Sequence, residues 1–333
     1  MWGPHCSYEE AFGVADKATG APMNATFFSR IGSETKTFTV TAVLQLIDEG
    51  QVALDDPIGK YIPGVPAGDQ ITLRELARMQ SGLFNYSADE DFDRTLLSDP
   101  RRPWTPAELL RYSFAHPLVF PPGQGWQYSN TNIVLLGLLV EKISGLPLQQ
   151  FLEQRVFEPV GLSHTIFPTD SSFPRPHAQG YTRQTLDGSE TVATDWDPSW
   201  GWAAGAMIST LHDLRTWARA VATGTLLKPG TQAQRLQTVT PAGFDPRVGY
   251  GLGIFNAEGW IGHNGSLPGY QSLTLYLPQQ RTTLVVLLNS DEPASGIAEP
   301  SSAFGTAITQ IISPDNVFQL HASQPTTSTP ATG

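Results

Sequence analysis

The 333-residue sequence predicts an α+β fold, in which an antiparallel sheet flanked by helices carries an all-helical block. Three observations point there. Apolar stretches with helical periodicity crowd the first half and middle of the chain. Short, alternating, β-rich stretches separated by turn residues dominate after residue 250. Strand-like segments also lie near the N-terminus, so the helical block reads as an insertion between strands contributed by both chain ends. The expected division is an α/β sandwich over 1–58 and 218–322, a helical domain over 59–217, and a disordered Pro/Thr/Ser-rich tail over 323–333.

Each element has a local reason. Glu9 to Asp16 reads as a strand end and Lys17–Gly20 as a turn, after which Thr26–Arg30 leads into a helix beginning near Ser33. In that helix Phe38, Ala42, Val43, Leu46 and Ile47 repeat with helical spacing, and Gly50 is placed as its C-terminal stop. Thr72–Glu75 and Thr105–Glu108 have the spacing of capping boxes, the second with Pro106 at the first helical position. Thr131–Ile143 is apolar on most faces and predicts a buried helix, and Leu148–Val156 predicts another. Thr210–Asp213 resembles a third capping box opening a helix over Leu214–Ala222. Strands are expected over Gly251–Phe255, Trp260–His263, Gln271–Leu277 and Thr282–Asn289, with a closing helix over Ser301–Ile312. The N-terminal strands are expected to pair with the C-terminal ones in one sheet.

Composition excludes several classes. A net charge of −11 argues against a nucleic-acid partner or an anionic membrane surface. Cys6 is the single cysteine, so there is no disulfide framework and no Cys-rich metal site. Neither a metal nor a cofactor is called for. No apolar run reaches transmembrane length, and the first residues do not form a signal-peptide pattern. There is no Gly-x-Ser-x-Gly elbow, no His-Glu-x-x-His and no phosphate-binding glycine loop.

Three short motifs carry chemistry. Ser33 and Lys36 stand three apart at a helix start and so share a face. A hydroxyl beside an amine, at the positive end of a helix, has the ingredients of an activated nucleophile. A serine before an apolar helix is also an ordinary N-cap. Tyr128 and Asn130 are two apart ahead of the buried helix, so in an extended segment both point the same way. A phenol can shuttle a proton and a carboxamide can hold a substrate carbonyl, although a packed Tyr and a capping Asn would look the same. His263-Asn264-Gly265-Ser266 follows at the end of a predicted strand, where His263 could orient a hydroxyl. Gly265 would let a substrate lie against the strand, and Ser266 could offer its N–H to an oxyanion. A hairpin turn with a surface His is the simpler alternative.

In this order and at these separations, the three motifs resemble the penicillin-recognising serine hydrolases: class C β-lactamases, serine D-Ala-D-Ala carboxypeptidases and their esterase relatives. Gly13–Gly20, Leu44–Gly50, Tyr128–Asn132 and Ala204–Ser209 also look like that family, and the likeness runs from Phe12 to about Ile312. The resemblance implies a β-lactamase/transpeptidase-like fold with the site between sheet and helical domain. It implies Ser33 as acyl-accepting nucleophile, Lys36 as its proton partner, Tyr128 as general base or acid, and Asn130 and His263 as substrate-binding residues. The Ser33 and Ser266 N–H groups would form the oxyanion hole. The implied substrates are small esters, amides or β-lactams.

Two departures bear on function. Family members usually carry a helix and a strand before the Gly13–Asp16 segment, and their absence here leads to an expectation of self-association through uncovered sheet. The carboxypeptidase branch has an arginine for the substrate carboxylate where this chain has Phe255. Ester hydrolysis is therefore expected to exceed D-Ala-D-Ala cleavage, unless Arg247 or Arg281 supplies the carboxylate site. Trp200, Trp202, Trp260 and Phe255 are expected to form an aromatic rim for acyl chains or aryl leaving groups, or else to be ordinary core.

Overall fold

The computed structural model describes residues 1–4, 6–293 and 299–320. The chain opens with strands β1 (Val14–Asp16), β2 (Ala21–Pro22) and β3 (Phe28–Arg30). A single 3-10 turn, Gly32–Glu34, then leads directly into α1 (Thr35–Asp48). The helical layer follows as α2 (Leu73–Ala77), α3 (Glu90–Ser98), α4 (Pro106–Phe114), α5 (Asn130–Ser144), α6 (Leu148–Leu152) and α7 (Glu158–Val160). Next come the small strands β4 (Tyr181–Thr182) and β5 (Thr191–Val192), α8 (Trp202–Gly205), β6 (Ile208–Thr210), α9 (Leu211–Thr223) and α10 (Pro229–Arg235). The chain closes with β7 (Val248–Tyr250), β8 (Phe255–Ala257), β9 (Trp260–Leu267), β10 (Tyr270–Leu277), β11 (Thr282–Leu288) and α11 (Pro300–Ile312). The expected tail over 323–333 lies outside the described residues.

Strands β7 to β11 form one antiparallel meander in sequence order. The expectation that N-terminal strands complete this sheet is corrected. β1 and β2 pair with each other, β3 pairs with β6, and among the described N-terminal residues Trp2 is the one that forms a β-bridge to the sheet, at Thr283 on β11. The reason lies just beyond β3. Gly32 takes φ +51 and turns the chain into the 3-10 helix, so β3 ends after three residues. The expected strand over Gly251–Phe255 is also shifted. Gly253 has φ +66, and residues 251–254 form the turn between β7 and β8.

Helix α1 has no polar face: residues 35–46 are all buried. It packs against α5 and α8 on one side, while the turn that precedes it packs on β9 and β10. Its end follows the expected chemistry. Gly50 adopts φ +75, its N–H donates to Ile47 O, and Gln51 N–H donates to Leu46 O, which together satisfy two orphan carbonyls. Both expected capping boxes are complete at α2 and α4. The third is not: Thr210 caps Asp213 N–H, but the Asp213 carboxylate accepts from His164 N–H and the Thr165 hydroxyl instead. The helix expected over Leu148–Val156 is interrupted by a π turn at Glu153–Phe157. Pro159 has no N–H for the Arg155 carbonyl, and Gln45 Nε2 donates to it at 2.9 Å.

Strand β10 is buried along its whole length, so both faces of the sheet are covered. Leu273 packs on Gly305 of α11, and α9 also lies on the sheet, crossing the residue 217/218 boundary expected from sequence. Ser272 and Thr274 look the other way, toward the turn that carries Ser33 and Glu34.

Candidate active site

Ser33 sits inside the 3-10 turn, and Lys36 lies one turn further on in α1. Lys36 Nζ is 2.9 Å from Ser33 Oγ and donates to Ala204 O at 2.8 Å. The Lys36 side chain is completely buried, and burial pushes its pKa well below that of a free lysine. The Lys36 Nζ also lies 4.8 Å from the Tyr128 ring centroid. Burial raises the Tyr128 phenol pKa, and a hydrogen bond with Ser33 acts in the opposite direction. A hydroxyl, an amine biased toward its neutral form and a phenol thus meet around one oxygen atom.

His263 is at the middle of β9 rather than at a strand end, because β9 continues to Leu267 and turns at Pro268-Gly269. Its imidazole is buried behind Tyr128, with ring centroids 6.2 Å apart, and it does not line the cavity. The expectation that His263 contacts substrate is therefore corrected. His263 Nδ1 donates to Asn264 O at 2.6 Å, and Nε2 lies 3.3 Å from the Tyr250 hydroxyl. Burial, with the Lys36 charge second, pushes its pKa down to about 3, so the ring is neutral at ordinary pH.

Strand register sets the direction of the Ser266 N–H. Leu267 and Tyr270 close a two-residue hairpin, so alternation turns the Ser266 N–H away from β10. Its outward side faces Gly32, since a Cβ on Gly32 would come within 2.9 Å of Ser266 N. A Cβ on Gly265 would meet Ile31 O at 2.0 Å, so only glycine lets β9 approach the nucleophile's turn this closely.

These groups open on a cavity of about 680 Å³. Ser33, Tyr128, Asn130, Gly265 and Ser266 line it, as do Trp200 and Phe255 from the expected aromatic rim. Phe255 stacks edge-on against Tyr250 at 4.7 Å and lies 5.0 Å from His263. Trp202 and Trp260 are not part of the wall. Trp202 packs on Gly137 of α5, and the buried Trp260 indole donates to Asn316 O at 2.7 Å. Arg247 is exposed and paired with Asp245 and Glu258, and Arg281 stands in the β10–β11 turn; neither lines the cavity.

A family model described as Beta-lactamase matches residues 6–305. The chain belongs to this family. Its fold and its motifs thus agree with the resemblance to penicillin-recognising serine hydrolases. It is similar to the putative penicillin-binding protein PbpX of Bacillus subtilis, at 26% identity over 84% of this chain and 66% of that one. The chain thus spans just under two thirds of that relative's length. Among solved structures it is similar to a D-stereospecific amidohydrolase from Streptomyces sp., with 35% identity and a TM-score of 0.77 over 80% of this chain and 84% of that one. It is also similar to a D-amino acid amidase from Ochrobactrum anthropi SV3, solved with L-phenylalanine amide. That match has 30% identity and a TM-score of 0.74 over 84% of this chain and 81% of that one.

Several wall residues of this Beta-lactamase family member have no motif in the sequence. Asn85 Oδ1 accepts from Asn130 N–H, and Ser87 Oγ accepts from Asn130 Nδ2, both at 3.0 Å, so this loop aims the carboxamide. The only signal for them is the alternation of Asn85 and Ser87 after the Ser81-Gly82 turn, and such alternation is common in loops. Phe92 and Leu96 come from α3, and Trp126 and Phe244, whose rings meet edge-on at 6.0 Å, line the cavity as well. Asn264 and Glu299 join β9 to the start of α11 across the cavity.

Proposed function

We propose that the protein forms an acyl-enzyme on Ser33 and hydrolyses small esters and amides whose leaving group carries no carboxylate. The observation that carries this reading is the 2.9 Å Lys36 Nζ–Ser33 Oγ contact at the foot of a cavity that offers no guanidinium among the described residues. The Ser33 oxygen bonds to the acyl carbon as its proton passes to the neutral Lys36 amine, either directly or by a relay in which Tyr128 takes the Ser33 proton while giving its own phenolic proton to that amine. The resulting oxyanion accepts from the Ser33 and Ser266 N–H groups. The proton then goes to the leaving nitrogen or oxygen, and water releases the acyl group by the reverse path. Asn130 holds the substrate carbonyl or amide edge. Likeness to an amidohydrolase and an amidase supports amides beside the esters expected from sequence.

Without a guanidinium among the described cavity residues, a free carboxylate beside the scissile bond would be desolvated with no cationic partner, at a cost of several kcal/mol. The test is a fluorophosphonate adduct by intact mass, followed by a panel of p-nitrophenyl acetate, an amino-acid amide, an acyl-D-Ala-D-Ala peptide and a β-lactam. Ester and amide turnover should exceed D-alanine release, and Ser33→Ala should lose both adduct and turnover. An adduct retained in Ser33→Ala would falsify the assignment. A stable β-lactam adduct without any turnover would instead favour a penicillin-binding role. The uncovered sheet face expected from sequence is not present, since β10 is buried along its whole length; self-association enters this reading instead through Phe304 and Ile311, which are 52% and 82% exposed on α11.

A further inference from the structure

The cavity is electrostatically one-sided. Among the described residues that line it, Asp93 and Glu299 are the charged ones, and both are acidic. Asp93 is on the exposed rim, whereas Glu299 is partly buried and held in place. Asn264 Nδ2 donates to Glu299 Oε2 at 2.6 Å, and the Ser302 hydroxyl donates to the same oxygen at 3.3 Å. Neither bond occupies Oε1. Glu299 stands at the N-cap of α11, yet its side chain caps no helix N–H, so helix capping does not account for its orientation. Its charge reaches the catalytic group as well, opposing ionisation of Tyr128.

We propose that Glu299, fixed by Asn264, binds an ammonium group of the substrate, so that the preferred substrates are amides or esters bearing a free amine near the scissile carbonyl. This rests on the acyl-enzyme reading above. Among the described residues the Glu299 carboxylate has two neutral donors, both on one oxygen, and no cationic partner, and an ammonium would satisfy it with a charge-assisted hydrogen bond. Binding that cation also cancels the field that opposes proton loss from Tyr128, so the same contact assists the chemistry. N-acylated substrates lose the charge and leave the carboxylate unpaired.

The experiment compares phenylalanine p-nitroanilide with its N-acetyl form, in both stereochemical series, against the protein and Glu299→Gln. The expected result is a preference of at least tenfold in kcat/KM for the free amine. The preference should fade above about pH 8, where an α-ammonium loses its proton. Glu299→Gln should collapse the ratio, and Glu299→Lys should invert it. Equal rates on the two forms, or a ratio that Glu299→Gln leaves unchanged, would overturn the proposal. Turnover of p-nitrophenyl acetate that is lost in Ser33→Ala reports on the parent reading separately. A protein that passes this control but shows no amine preference refutes only the ammonium site.

Discussion

Lys36 and Glu34 flank the same turn of chain, are both fully buried, and are pushed by burial in opposite senses, each toward its neutral form. For Lys36 this makes the amine a base. Lys36→Arg should therefore lower kcat/KM by about 10²- to 10⁴-fold, because a guanidinium stays protonated and cannot take the Ser33 proton. Near wild-type turnover in that variant would make Lys36 an electrostatic support only. Glu34 has a different consequence. Its carboxyl faces the Ser272 and Thr274 hydroxyls closely enough to lower its pKa somewhat, without a well-formed hydrogen bond to either, and burial pushes it up to about 8 from 4.5. Between those two values the folded state holds a proton that the unfolded state has lost, so stability falls as pH rises across the window. The full effect is on the order of several kcal/mol. Urea unfolding at pH 5 and pH 8 should show the loss in the protein and a flatter profile in Glu34→Gln. Equal slopes would mean that Glu34 is solvated or paired.

At the scale of elements, the site depends on how closely β9 passes the turn before α1. Gly265 permits that approach, and the Ser272 hydroxyl ties it down by donating to Ile31 O at 2.9 Å. In Gly265→Ala the new methyl would overlap the Ile31 carbonyl, and backbone cannot rotate aside as a side chain can. Overpacking of this kind costs about 1–3 kcal/mol. A lower melting temperature is expected, together with a loss of kcat larger than the change in KM, as the Ser266 N–H moves away from the oxyanion. A fall in stability with kcat intact would show that β9 does not shape the oxyanion site. Helix ends were legible beforehand because capping boxes at Thr72 and Thr105 and the stop at Gly50 are local chemistry. Strand ends were less so, since β9 runs on through Gly265 by pairing with Ser272 of β10, a partner outside the local sequence.

For the whole molecule, α1 is the shared wall. It contacts α5 and α8 in the helical layer, while its preceding turn lies on β9 and β10, and the cavity opens where those layers part. The outer face of α11 leaves Phe304 and Ile311 in solvent, seven residues apart and so on one side of the helix. Light scattering should give a mass above 36.1 kDa that rises with concentration, and Phe304→Ser with Ile311→Ser should return it to the monomer value. A constant monomer mass in the unaltered protein would remove this surface as an interface.

That Ser33 meets Lys36 and that Tyr128 and Asn130 face one cavity was readable from the sequence because both follow from local spacing: three along a helix, two along an extended segment. The fold class was readable because periodicity and turn residues are local as well. Which strands pair, that His263 stands behind the cavity rather than in it, and that Trp202 and Trp260 turn away were settled only by packing between segments far apart in the chain. Asn85, Ser87 and Glu299 belong with these. A lone polar residue in a loop or at a helix start carries no period, and it gains a partner only when the tertiary structure brings Asn130 or Asn264 against it.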